Sequence, residues 1–320
     1  MSPRASAPRD KTRGGRRGKS ESERARRPHA VTARALRAWP LPRADDEGDK
    51  EVRGRVLVVG GAVSMPGAPL LAGVAALRAG AGKLQLATCE SVAPTVGVAL
   101  PEALVTGLAE TAQGGIAARA AAAVAEHAES TDALLVGPGM VDERAIAGFL
   151  ARLLPGVTRA IVVLDAGALP PLVDQPALLH HLGGRAVVTP HAGEMASLLG
   201  VPKEEVERDP VAAALRAARD LRAVVALKGG ETIVAEPDGT LHRYSGGHVG
   251  LATSGSGDTL AGVVAGLAAR GATPAQAAVW AVFLHGEAGN ALAGSVGPVG
   301  YLARELLDEI PPIMARLAKR

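Results

Sequence analysis

Six short apolar runs constrain this chain more than anything else in it, because they are close to continuous and each stops at glycine, proline, threonine, aspartate, histidine or lysine. They are GRVLVVGG (residues 54–61), AGKLQLAT (81–88), DALLVGPG (132–139), RAIVVLDAG (159–167), RAVVTPH (185–191) and RAVVALKGG (222–230). A strand that barely alternates is buried on both faces, which a parallel sheet between two helical layers provides. Between the runs lie alanine-rich stretches of helical character, among them PLLAGVAALRAG, GIAARAAAAVAEHA, ERAIAGFLARLL and VAAALRAARDLR. The expected fold is α/β, a three-layer α/β/α sandwich with a central, mostly parallel sheet. The segment ETIVAEPDGTLHRY breaks the rhythm with two strand-like pieces around Pro237, Asp238 and Gly239, a hairpin signal and an antiparallel addition to the sheet.

Composition narrows the function. At 48% hydrophobic residues and a mean hydropathy of +0.17, 320 residues can bury a large core, yet no uncharged apolar run is long enough to cross a bilayer. One cysteine, Cys89, rules out a disulfide framework or a cysteine metal cluster and suits a reducing cytoplasm. Aromatic residues at 2% leave almost nothing for nucleic-acid bases to stack on.

Charge is uneven along the chain. Residues 1–50 carry fourteen Lys/Arg against seven Asp/Glu, so +7 sits there and −4 on the remaining 270. Residues 1–45 are expected to form a basic extension, disordered over 1–30 for want of large apolar side chains, and 46–320 one catalytic domain. A short helix is expected in VTARALRAW, ended by Pro40 and Pro42. The tail reads as a solvated extension or as an arm for an anionic surface.

Ligands of such sheets bind beyond the carboxyl ends of the strands, where this chain places Gly60-Gly61, Gly137-Pro138-Gly139, Asp165, Thr189-Pro190-His191 and Lys228-Gly229-Gly230. A lysine directly after AVVAL is partly buried unless an anion meets it. Residues 246–257 (GGHVGLATSGSG) run into Asp258 and the apolar run LAGVVAGLAA. Such a segment either cradles an anion at a helix N-terminus, with a carboxylate at its mouth, or only lets a helix pack closely. Other fingerprints fail: GGAVSMPG is not G-x-G-x-x-G, and there is no P-loop, G-x-S-x-G elbow or H-E-x-x-H.

The ordered set GRVLVVGGAVSMPGAPLLAGVAALRAGAGKLQLAT, LLVGPG, VVLDAGAL, VVTPHAGEMASLLG, VVALKGGETIVAEPDG, GLATSGSGDTLAGVVAGLAARG and AVFLHGEAG resembles the ADP/ATP-dependent NAD(P)H-hydrate dehydratase family of the ribokinase-like superfamily. The likeness runs from Lys50 to about Gly300. It implies a repair enzyme that dehydrates the S-form of 6-hydroxylated NADH or NADPH, coupled to hydrolysis of ADP or ATP, with Mg2+ on the phosphates and a cytoplasmic homotetramer. It implies nucleotide contacts at Lys228, Gly229, Gly230, Glu231, Thr232 and Gly257. It also implies a hydrated-nicotinamide site at Ala68, Gly139, His191 and Asp258. The chemistry adds Gly255 to the phosphoryl cradle and makes Asp258 the general base toward the substrate hydroxyl. No metal ligands are legible.

Two departures stand out. Asp165-Ala166-Gly167 replaces the Asp-Ala-Asp common in the family, and TPHAGE replaces TPHPGE. The competing readings are a ribokinase-like small-molecule kinase of the hydroxyethylthiazole or hydroxymethylpyrimidine type, and a non-catalytic nucleotide or nucleic-acid binder using the basic tail.

Overall fold

The computed structural model describes residues 27–42 and 52–318. The runs read from the sequence become strands β2 (Arg55–Val59), β3 (Lys83–Cys89), β5 (Ala133–Val136), β6 (Ile161–Leu164), β7 (Ala186–Val188) and β8 (Val224–Leu227). With β1 (His29–Ala30), β4 (Ala103–Leu108), β9 (Thr232–Ala235) and β10 (Leu241–Tyr244) they form one sheet in the order β1-β10-β9-β8-β7-β6-β5-β2-β3-β4. Only β9 runs against its neighbours, so the expected hairpin and its antiparallel strand are present.

Burial on both faces follows from that sheet. Val56 and Val58 point into one core, and Leu57 and Val59 into the other. The first core is closed by helices α2 (Gly67–Arg78), α3 (Ala93–Ala99), α9 (Ser256–Ala269), α10 (Pro274–Ser295) and α11 (Leu306–Ala318). The second is closed by α4 (Ala121–Ala128), α5 (Glu143–Leu153), α6 (Ala192–Leu199), α7 (Lys203–Arg208) and α8 (Pro210–Leu221). The three layers are those the sequence predicts. No helix among the described residues is long and apolar enough to cross a membrane.

The expected boundary near residue 45 needs correction. Residues 1–26 and 43–51 lie outside the described residues, but residues 27–42 fold onto the domain instead of extending from it. β1 pairs in parallel with β10, and helix α1 (Ala33–Ala38), capped by the Thr32 hydroxyl, buries Leu36. The Trp39 carbonyl accepts from Trp280 Nε1 at 2.9 Å, and Trp39 stacks on His242. A few apolar side chains and one sheet edge suffice to dock a segment whose composition is otherwise polar.

Helix α9 sits at the centre, with twelve of its fourteen residues buried. It packs backbone to backbone on α2, because a Cβ at Gly262 would lie 2.2 Å from the Ala72 carbonyl oxygen and one at Gly266 would lie 2.4 Å from that of Ala76. Only glycine fits there. Gly262→Ala, although alanine favours helix by about 1 kcal/mol, is expected to cost about 1–3 kcal/mol through overpacking. Thermal unfolding measures it, with Gly294→Ala in α10, where nothing lies within 4 Å of the new Cβ, as a control that loses nothing.

Candidate functional site

Sheet register gathers the polar residues at one edge. Val59, Val136, Leu164 and Val188 are aligned across neighbouring strands, so Gly60, Gly137, Asp165 and Thr189 follow side by side at the carboxyl end. Lys228 N donates to the Pro190 carbonyl at 2.8 Å, and a short parallel bridge between His191 and Lys228 continues that edge. The chain crosses back between β2 and β5, and there the Gly61 amide donates to the Pro138 carbonyl at 2.7 Å. This is the crevice where sheets of this kind accept ligands.

Lys228 meets its anion inside the protein. Its Nζ lies 3.0 Å from Asp165 Oδ1, and the Thr189 hydroxyl donates to the same oxygen at 2.6 Å. Asp165 is 1% exposed. Burial works against the ammonium, yet the carboxylates of Asp165, Glu194 and Asp258 outweigh it and hold the lysine pKa above its ordinary value.

Asp258 occupies the first turn of α9, which begins at Gly255 with φ 86°. The amides of Gly257 and Asp258 stand at helix positions that lack an intrahelical acceptor, and the helix dipole adds positive potential there. A Cβ at Gly257 would lie 3.4 Å from Lys228 Nζ and 3.8 Å from Asp165 Oδ2, so this amide end abuts the lysine. Burial, then repulsion from Asp165, pushes the Asp258 carboxyl up to about 7, with Lys228 opposing both. Among the described residues Asp258 has no hydrogen-bonded or ion-paired side-chain partner.

His191 caps α6. Its Nδ1 accepts from the amides of Gly193 at 3.0 Å and Glu194 at 3.2 Å, while the Glu194 carboxylate accepts from the His191 amide at 2.8 Å. An accepting Nδ1 puts the proton of the neutral ring on Nε2, so the exposed side of this histidine offers a donor. The alanine at position 192 takes the first helical position without loss of this cap.

A cavity of about 780 Å³ opens beside these groups, lined at its polar end by His191, Lys228, Gly229, Gly230, Thr232 and Gly257. Its apolar lining comes from Tyr244, Leu251, Leu260 and Val282. Of the residues anticipated for nucleotide, two are elsewhere. Glu231 turns out to Ser245, whose hydroxyl donates to it at 2.6 Å, and to Arg243, while Gly255 caps α9 against Leu71 of α2. Ala68, Gly139 and Asp258 also lie off the cavity lining. Ala68 and Gly139 touch each other, since a Cβ at Gly139 would lie 2.7 Å from that of Ala68. Asp258 Oδ2 is 4.0 Å from the corresponding point at Gly255, on the side that faces α2. Asp258 thus follows directly after the lining residue Gly257, on the helix that packs against the one carrying Ala68.

Sequence reasoning gave no part to His285 or Ser256. His285 Nε2 lies 3.0 Å from the Ser256 carbonyl and 2.9 Å from its hydroxyl. A carbonyl only accepts, so Nε2 carries the ring proton. Burial foremost, with the Lys228 charge, lowers the His285 pKa to about 4 against the Ser256 hydrogen bond, and the ring stays neutral. The motif AVFLHGEAG contained the signal, but nothing local in it names the helix start that the histidine braces. Gly167 explains its own departure: a Cβ there would lie 2.5 Å from the Met140 carbonyl oxygen, so a second aspartate needs that segment to move. Asp165 alone carries the negative charge at this strand end.

A family profile for NAD(P)H-hydrate dehydratase matches residues 56–312. A protein of Xanthomonas campestris named ADP-dependent (S)-NAD(P)H-hydrate dehydratase is 52% identical over 293 residues, covering 92% of this chain and 98% of its own. The crystal structure of an ADP/ATP-dependent NAD(P)H-hydrate dehydratase of Bacillus subtilis, co-crystallised with ATP/Mg2+, matches with a TM-score of 0.73 at 31% identity, covering 91% of this chain and 98% of that one. A ribokinase-like superfamily protein of Enterococcus faecalis shares the fold, with a TM-score of 0.78 at 24% identity over 91% of this chain and 97% of its own. Bifunctional repair enzymes match as well, and this chain spans 53% of their length. With its profile match and its half-identical relative, the chain belongs to the NAD(P)H-hydrate dehydratase family, built on the ribokinase-like fold.

Proposed function

We propose that this protein dehydrates the S-form of 6-hydroxylated NADH or NADPH, spending ADP or ATP to turn the hydroxyl into a leaving group. One observation carries the reading: an unpaired carboxylate, half ionised near neutrality, stands in the same helical turn as free amides that meet Lys228 at the cavity. The apolar lining of the cavity suits the adenine, and Lys228 with the amides of Gly257 and Asp258 suits the transferring phosphoryl. Asp258 takes the proton from the C6 hydroxyl as that oxygen attacks the terminal phosphorus, with AMP leaving from ADP or ADP from ATP. The ring nitrogen lone pair then expels the C6 oxygen as phosphate, and loss of a proton from the neighbouring ring carbon restores the reduced nicotinamide. The Nε2–H of His191 is a donor for the substrate side.

Among the described residues no group of three His, Cys, Asp or Glu could hold a metal ion, and Asp165 is already engaged by Lys228 and Thr189. The donor set is no protein cage. Magnesium would arrive on the nucleotide phosphates and neutralise their charge. The reading also makes the protein a cytoplasmic homotetramer, supported by a single, buried, free cysteine and by apolar side chains exposed at Val296, Val299 and Leu302.

Hydrated NADH supplied with ADP, then with ATP, tests the activity. Return of the reduced-nicotinamide absorbance with release of free phosphate is expected, whereas a stable phosphorylated substrate identifies a kinase of the hydroxyethylthiazole or hydroxymethylpyrimidine type. Asp258→Asn should lower turnover by roughly 10²–10⁴-fold with nucleotide binding retained by calorimetry.

The same variant tests the electrostatics through stability. Asp258 holds its proton more tightly folded, near pH 7, than at its ordinary value of 3.8. Rising pH therefore costs stability across that window, a cost absent below about 4 and complete above about 7. Asparagine cannot ionise. Asp258→Asn is expected to melt higher than its parent at pH 8, with the difference closing as the pH falls to 4.

A further inference from the structure

Lys228 has a choice of carboxylates and takes one. Asp165 at the end of β6, Glu194 in α6 and Asp258 in α9 all pull on its ammonium, with His191 and the neutral His285 as the remaining titratable groups around it. Its ion pair goes to Asp165 Oδ1 at 3.0 Å, the same oxygen that the fully buried Thr189 hydroxyl holds at 2.6 Å. Two donors from two different strand ends lock that carboxylate in place. Asp258, one residue beyond the glycine that touches the lysine, is left without a partner.

We infer that Asp165 is a positioning residue: with Thr189 it holds the Lys228 ammonium on its own oxygen, so that the Asp258 carboxylate stays unpaired for the substrate hydroxyl. The inference rests on Asp258 being the base. A lysine released from Asp165 has Glu194 and Asp258 as its remaining carboxylates, and an ion pair to Asp258 would make that carboxylate a weaker base. Repulsion from Asp165 adds to the effect, since it is the second cause that keeps the Asp258 proton on at lower pH. Thr189 acts through Asp165. Its hydroxyl satisfies a lone pair that would otherwise be free to let the carboxylate turn.

The test is the pH dependence of kcat/KM for hydrated NADH in parent, Asp165→Asn, Thr189→Val and Thr189→Ser proteins, each checked for folding by thermal melting. Asparagine keeps the size of the side chain and an acceptor for Thr189 while removing the charge. The acid limb is expected to move down by about one pH unit or more in Asp165→Asn, with kcat on the plateau down about tenfold or more. Thr189→Val, which keeps the charge, should move the limb the same way by less, and Thr189→Ser should restore it. A folded Asp165→Asn protein whose limb stays at the parent position overturns the inference, however much activity it loses. Should Asp165→Asn fail to fold, the valine and serine pair decides: an unmoved limb in Thr189→Val overturns it. Asp258→Asn separates the two ideas, because a variant that keeps its rate and its acid limb refutes the base assignment itself, whatever Asp165 does.

Discussion

Everything at the carboxyl edge depends on how closely α9 lies against α2. Glycines at 262 and 266 let the two backbones meet where any side chain would force them apart. That contact fixes the axis of α9 and hence the place of its first turn, with Gly255 against Leu71, Gly257 against Lys228 and Asp258 between them. A helix set even an ångström further out would carry its free amides and its carboxylate away from the strand ends. Close packing of small residues is thus what sets the first turn of a buried hydrophobic helix beside Lys228.

The second constraint is electrostatic. One partly buried ammonium among three carboxylates leaves an excess of negative charge in a poorly solvated place, and the protein relieves it by keeping a proton on Asp258 through the acid range. A carboxylate that holds its proton to about 7 is expensive for stability at high pH and useful for chemistry at neutral pH. On the proposed reading, phosphate oxygens entering beside Lys228 would add more negative charge, which amides, a helix terminus and a lysine would meet together. His285 contributes nothing to this balance of charge, being neutral, and serves by bracing Ser256.

Much of this was legible in the residues. Nearly continuous strands announced a sheet buried on both faces, and the Pro-Asp-Gly turn announced the hairpin with its antiparallel strand. The lysine after AVVAL announced an anion. Its identity was not legible, because Asp165 and Lys228 are 63 residues apart and meet only through the order β6-β7-β8. The folded chain makes His191 a helix cap whose other face lines the cavity, a role its place at a strand end did not announce. The short helix in VTARALRAW was legible, but its docking was not, because a two-residue edge strand carries too little periodicity to register. The partners of Glu231 were not legible for a similar reason: its position beside Lys228 in sequence says nothing about its side chain turning to Ser245 and Arg243.

The central claim is spatial, that Asp258 lies between the nucleotide cavity and the crevice beside Ala68 and Gly139. A crystal structure with a non-hydrolysable ADP analogue and NADH bound together measures it directly. The account predicts the terminal phosphate on the amides of Gly257 and Asp258, and the nicotinamide against Gly139 with room for a C6 oxygen about 2.6–3.2 Å from an Asp258 oxygen. A nicotinamide seated in the Tyr244 and Leu251 end of the cavity, or one that leaves the Asp258 carboxylate beyond the reach of C6, contradicts it.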